Sequence, residues 1–185
     1  MKVLIDACVL YPTVMREVVM GAAAEGLFEP LWSPRILEEW ARAAAKLGDG
    51  QEVVARGEIA ALNARWPRAS VRPREGDMAR LYLPDPNDIH VLAAAIAGHA
   101  DTILTMNNKD FPRHMLAEEC LLRESPDLFL RAFVDSHPDQ MHAMVERVRL
   151  VAEQLSGQDW PLRKLMKKAR LPRLGKALEA LDSAE

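Results

Sequence analysis

Leu83-Pro84-Asp85-Pro86-Asn87-Asp88-Ile89-His90-Val91-Leu92-Ala93-Ala94-Ala95-Ile96-Ala97 is the stretch from which the rest of the chain can be read. It opens with acids in a proline-punctuated turn and runs straight into an Ala/Leu/Ile helix. Proline disfavours the α region for the residue ahead of it, so the helix cannot begin before Pro86. Pro86 itself suits the first helical turn, where a missing N–H costs nothing. Asp85 is then the natural N-cap, and Asp88 lies in the first turn, where capping and the helix dipole favour a carboxylate. Capping alone would explain both acids. It does not explain why carboxylates recur at three other element ends.

On either side of this stretch the chain alternates. Lys2-Val3-Leu4-Ile5 is a short apolar run, as expected of a strand buried on both faces of a parallel sheet, and Asp6 ends it. A helix is expected over about 14–25, capped by Thr13 and broken by Gly26, and then a second strand over 27–32. Ser33-Pro34 starts a helix that runs to about Leu47, with Ile36, Trp40, Ala43, Ala44 and Leu47 on one face. On the helical wheel Glu39 borders that face, whereas Glu38 points to solvent. A further helix spans about 51–65, and Ser70-Val71-Arg72 reads as a brief strand. Thr102-Ile103-Leu104-Thr105 is the second convincing buried strand and leads into the polar loop Met106-Asn107-Asn108-Lys109-Asp110-Phe111-Pro112. A short helix and a weak strand near Cys120-Leu121-Leu122 follow. Strands alternating with helices imply a parallel sheet wrapped by helices. From Ser125 onward the pattern is purely helical, each helix opening at a proline, so the expected division is a 1–124 α/β domain and a 125–185 helical extension.

The 185 residues, 49% hydrophobic and 28% charged, suit one globular domain with a small appendage. A net charge of −3 argues against a protein that coats nucleic acid by bulk charge, though not against a local basic surface. Cys8 and Cys120 show no metal spacing and read as buried small hydrophobes. The first apolar run is too short for a signal peptide, and no window reaches the length of a membrane span. A cytoplasmic location is the expectation.

Chemistry in open α/β sheets sits outside the carboxyl ends of the strands. Asp6 follows one such strand, Asn107 and Asp110 another, while Asp85 and Asp88 open a helix and Glu39 stands early in another. Acids from four segments can therefore converge on one crevice. Carboxylates gathered in a low-dielectric cleft repel unless protonated or neutralised by a cation. All-oxygen ligands select hard Mg²⁺ or Mn²⁺, which polarise a phosphodiester and lower the pKa of an attacking water. Rival chemistries lack their residues. The chain has no glycine-rich dinucleotide loop, no Walker motif, no serine elbow and no His-x-x-x-His pair.

Ile5-Asp6-Ala7-Cys8-Val9-Leu10 with Trp32-Ser33-Pro34-Arg35-Ile36-Leu37-Glu38-Glu39-Trp40 resembles the opening of bacterial PIN-domain proteins. Leu83 to Ala95 and Ile103 to Pro112 resemble their later blocks. Their order and spacing are similar to the VapC-type ribonuclease toxins that carry a C-terminal helical extension. That resemblance implies a three-layer α/β/α fold with a central parallel sheet, and Mg²⁺- or Mn²⁺-dependent cleavage of RNA. It implies a small antitoxin protein as partner and allows a homodimer. Asp6, Glu39 and Asp88 match the family's acidic metal-binding positions. Asp110 is the nearest carboxylate to the fourth position, where many relatives carry aspartate and this chain has Asn107. Asp85, Thr105 and Asn107 would support the pocket. A second departure is Ala7-Cys8, where a hydroxyl residue and asparagine often follow the first aspartate. The alternative is a catalytically degenerate PIN fold serving as an RNA-binding or protein-interaction module. One concentrated basic segment remains, Arg163-Lys164 through Lys176, which reads as a solvated helix face or an RNA contact.

Overall fold

Val3, Leu4 and Ile5 have no solvent exposure, and the strand they form, β1 (Lys2–Ile5), lies between two parallel neighbours. In the computed structural model, which describes residues 1–182, four parallel strands stand in the order β2-β1-β3-β4, with β2 Glu29–Leu31, β3 Thr102–Leu104 and β4 Leu122–Glu124. Register is set by pairs such as Leu4 with Leu31 and Leu4 with Ile103. The chain leaves β1 toward β2 on one side and returns as β3 on the other. That reversal makes the carboxyl ends of β1 and β3 a topological switch point, where neighbouring loops diverge and leave a crevice.

The helices are α1 (Ala7–Leu10), α2 (Thr13–Ala24), α3 (Pro34–Ala45), α4 (Gln51–Arg65), α5 (Glu75–Arg80), α6 (Ile89–Ala97), α7 (Arg113–Glu118), α8 (Pro126–Ser136), α9 (Pro138–Ser156), α10 (Leu162–Lys168) and α11 (Pro172–Asp182). The fold is α/β, a parallel sheet with helices and a helical C-terminal region. Helix α6 is apolar on every side, and its residues from His90 to Ala95 are all buried, because it packs on both β1 and β3.

Two compact units form. The first comprises residues Met1–Tyr11 and Phe28–Glu124, and the second Pro12–Leu27 and Ser125–Glu185. Helix α2, which the sequence pattern assigns to the 1–124 segment, packs on α8 and α9. Its small residue Gly21 is what admits α9: a Cβ there would stand 2.6 Å from Met144 Sδ. The exposed end of α2 is tied to α9 as well, Gln140 donating to Glu25 O at 3.0 Å and Arg147 pairing with the Glu25 carboxylate.

Several local expectations differ from the structure. Proline, not Thr13, holds the N-cap position of α2, and no side chain caps that helix. Helix α3 stops at Ala45, so Leu47 leaves the apolar face and is 65% exposed. Ser70 makes an isolated bridge to Trp32 in place of a strand. Cys120 is exposed, standing in a left-handed conformation (φ 55°) in the turn before β4, and Cys8 is only partly buried.

Candidate metal centre

The turn ahead of α6 divides its two aspartates between two tasks. Residues Pro86–Asp88 form a single 3-10 turn, and Asp85 caps it, its Oδ1 accepting from Asn87 N at 2.9 Å. Asp88 occupies the position before α6 but makes no side-chain cap bond. Its carboxylate is thus available elsewhere. Asp85, Asp88 and Asp110 each offer a carboxylate oxygen, and these atoms lie within 4.8 Å of one another. Two acids come from the turn ahead of α6 and the third from the loop after β3, across the switch point.

Asp6 approaches from the end of β1 and is only 8% exposed. Its backbone N–H extends the β1–β3 ladder by donating to Leu104 O at 3.1 Å. One side-chain oxygen, Oδ2, receives two donors: the Thr105 hydroxyl at 2.7 Å and the Cys8 thiol at 3.1 Å. Thr105 is itself held, its Oγ1 accepting from Asn107 N at 3.0 Å, and Cys8 Sγ accepts from Met106 N at 3.2 Å. Burial, with the Asp6 charge beside it, pushes the Cys8 thiol up to about 12. The thiol therefore keeps its proton and remains a donor to Asp6. Both donors meet the same oxygen, so the other carboxylate oxygen of Asp6 stays clear of that network.

The acids sense one another. Desolvation, then the charges of Asp6, Asp85 and Asp110, push the Asp88 carboxyl up to about 6, against a smaller opposing pull from His90. Asn107 sits among them as a neutral bridge. Its amide donates to Asp88 Oδ2 at 3.4 Å and makes a short contact to Asp110 Oδ2. The loop that carries Asn107 and Asp110 is braced from β4, where Arg123 donates to the Asn108 side chain.

Glu39 stands apart from the three-aspartate group. Ser33 caps α3, accepting from Ile36 N at 3.2 Å with Pro34 following, and this fixes where the helix starts. Glu39 Oε1 then lies 2.8 Å from Nε2 of the buried His90 and 3.3 Å from Arg35 Nε. Burial raises the Glu39 carboxyl, but His90 and then Arg35 outweigh it and hold it below the usual range. Arg35 also donates to Asn87 O at 3.3 Å, which links Glu39 to the turn that carries Asp85 and Asp88. Glu38, expected to face solvent, has the same 36% exposure as Glu39. It is turned to α4, where Arg56 binds it at 3.0 Å beside Arg42.

Sequence reasoning thus names every carboxylate of the three-aspartate group, but gives Asp85 only a supporting place. It misses the thiol of Cys8 as a partner of Asp6 and His90 as a partner of Glu39. The position of Cys8 two residues after Asp6 is the only signal for the first; His90, inside an apolar run, is the signal for the second.

A donor set of carboxylate oxygens at this spacing fits a hard divalent cation, which would relieve the repulsion that raises Asp88. Among the described residues, no helix is long and apolar enough to cross a membrane. Comparison with curated proteins and with solved structures returned no significant match. Residues 2–109 match the PIN domain, a span that holds β1 to β3, Asp6, Glu39, Asp85 and Asp88, and ends one residue before Asp110. With strand order, switch-point acids and family match all in agreement, the chain belongs to the PIN-domain family, whose members are generally nucleases.

Proposed function

We propose that this protein is an Mg²⁺- or Mn²⁺-dependent endoribonuclease of the VapC type, the toxin component of a type II toxin–antitoxin pair, working in the cytoplasm against RNA. The observation that carries the reading is the convergence of the Asp85, Asp88 and Asp110 carboxylates within 4.8 Å of one another, on a chain of a nuclease family. Asp85, Asp88 and Asp110 would hold the cation, with Asp6 contributing its clear oxygen. When bound, that ion would polarise the scissile phosphodiester and lower the pKa of water. Thr105 and Cys8 hold the Asp6 carboxylate in place by donating to its other oxygen. Glu39, kept anionic by His90 and Arg35, either joins the ligand set or orients the attacking water. Residues 125–185 are assigned as the helical extension of this toxin subgroup, and a small antitoxin as the partner; a homodimer fits the same class.

The test is cleavage of single-stranded RNA by the purified protein with Mg²⁺ or Mn²⁺, with chelator, and with Asp88→Asn. Internal cleavage that needs both the ion and Asp88 is expected, as are growth arrest on expression and its relief by a small protein encoded beside the gene. One observation favours a second reading, a degenerate module that keeps the fold without cutting: Asn107 stands where many relatives would carry an acid. Calorimetry with Mn²⁺ separates the two. Binding without cleavage in the wild type would select the degenerate module.

A further inference from the structure

Residues 160–178 hold seven cations and no carboxylate, in a chain whose formal net charge is −3. The helices α10 and α11 sort that stretch into two faces. Leu165, Met166, Leu171, Leu174 and Leu178 are at most 2% exposed and glue the helices to their surroundings. Gly175 lets them approach closely, since a Cβ there would stand 2.8 Å from Met166 Cβ. Every cation is left on the outside: Arg163, Lys164, Lys167, Lys168, Arg170, Arg173 and Lys176 are all exposed. At about 100° per residue, the four on α10 fall within roughly 140° of its circumference. Arg163 of α10 bridges to Glu179 of α11 at 2.5 Å, which joins the outer faces of the two helices into one surface.

Few of these charges are answered. Lys164 and Lys168 lie over the Trp160 ring, 5.8 and 4.4 Å from its centre. Asp127, an acid of α8 beside this surface, is engaged by backbone: it accepts from Arg173 N at 3.0 Å and Leu174 N at 3.0 Å. Among the described residues, Lys167, Arg170, Lys176 and the Arg173 guanidinium pair with no carboxylate. Such a surface invites a polyanion. A membrane helix would carry large apolar residues beside its cations, and here those residues are buried. A protein interface needs a broad apolar or aromatic centre, whereas this face offers one half-buried aromatic, Trp160, overlaid by Lys164 and Lys168. Repeated unpaired cations around a single aromatic match a phosphate backbone, which is held by charge and counterion release.

We propose that the α10–α11 hairpin is an RNA-backbone contact surface, additional to the acidic centre and acting without metal. The choice of RNA among polyanions rests on the ribonuclease reading of the acidic centre. The measurement is fluorescence anisotropy of a labelled single-stranded RNA of about 20 nucleotides with the full-length protein in chelator, where no cleavage intervenes. Wild type is compared with Lys167→Glu/Arg170→Glu/Lys176→Glu and with the milder triple glutamine variant, which carries the test if the first fails to fold. Affinity should fall at least about 10-fold in the glutamate variant. In the glutamine variant the slope of log affinity against log salt should flatten by about 2, because each phosphate neutralised on a single strand accounts for roughly 0.7 of that slope. An unchanged affinity and slope in a folded triple variant overturns the proposal. So does a loss confined to anionic phospholipid vesicles or to polyglutamate, which would assign the surface to a membrane or an acidic protein. The two readings fail separately. Patch-dependent binding by a wild type that never cleaves leaves the surface standing and removes the nuclease, whereas cleavage with patch-independent binding does the reverse.

Discussion

Asp88 is left uncapping because Asp85 takes the cap bond of the turn, and its carboxylate faces three others. That carboxyl titrates near 6 in the folded protein against 3.8 for an ordinary aspartate, so the fold binds this proton more tightly than the open chain does. The Asp88 contribution to stability therefore falls as pH rises from about 4 to about 6, and its penalty is complete above that window. Asp88→Asn removes it. In chelator near pH 7 the variant should melt higher than wild type by about 2–6 °C, from a penalty on the order of 1–2 kcal/mol after solvent screening. The difference should vanish near pH 4. Melts across that range decide it, and a lower or pH-independent Tm would show that the acids do not repel. Asn107 gives the converse case. Its amide donates to Asp88 and Asp110, so Asn107→Asp replaces two favourable contacts with repulsion. The variant should melt lower in chelator and bind Mn²⁺ on the order of 10-fold tighter by calorimetry, because ligand charge tunes divalent affinity. Weaker Mn²⁺ binding would mean the side chain lies outside the ion's reach.

Within a single element, α3 separates two adjacent glutamates that composition treats alike. The Ser33 cap and Pro34 start the helix, and its apolar stripe through Ile36 and Trp40 sets its rotation. The wheel puts Glu39 toward the crevice side, and its contacts with His90 and Arg35 agree. For Glu38 the wheel is incomplete, because a wheel knows nothing of a second helix. Arg56 of α4 comes over to meet it. Glu39→Gln should cut ion-dependent RNA cleavage by about 10²-fold, as removal of a group that orients a metal or its water does. Glu38→Gln should leave cleavage unchanged and lower the Tm slightly through its arginine partners. Equal reductions of cleavage would show that the two glutamates do not differ in role. Asp6, at the end of β1, is legible as a candidate from its place after a buried strand. That its Oδ2 accepts from Thr105 is not, since that residue lies 99 positions away.

For the molecule as a whole, the consequence of gathering acids at the switch point is that the folded state concentrates negative charge which the open chain spreads apart. Any ion that binds only the folded state raises its stability, by about 2.7 kcal/mol at 100 times the dissociation constant. Mn²⁺ or Mg²⁺ should therefore raise the Tm of the wild type, and Asp85→Asn/Asp110→Asn should abolish that rise while leaving the protein folded in chelator. A thermal shift of the double variant equal to that of wild type would place the ion elsewhere.

Local patterns decide the elements: apolar runs write β1 and β3, and Ser-Pro and Asp-Pro pairs write the helix starts, because capping and proline sterics act within a few residues. They also name the acids, since residues at strand ends must lie at one edge of a parallel sheet. Tertiary packing alone settles which elements share a unit and which partner meets each acid. Helix α2 goes to α8 and α9, a choice made by Gly21 and the packing surface of helices more than 100 residues later. Asp85 enters the group with Asp88 and Asp110, and Glu39 goes to His90, through distances set by strand order and helix packing. Those are sums over long-range contacts, and no window of sequence contains them.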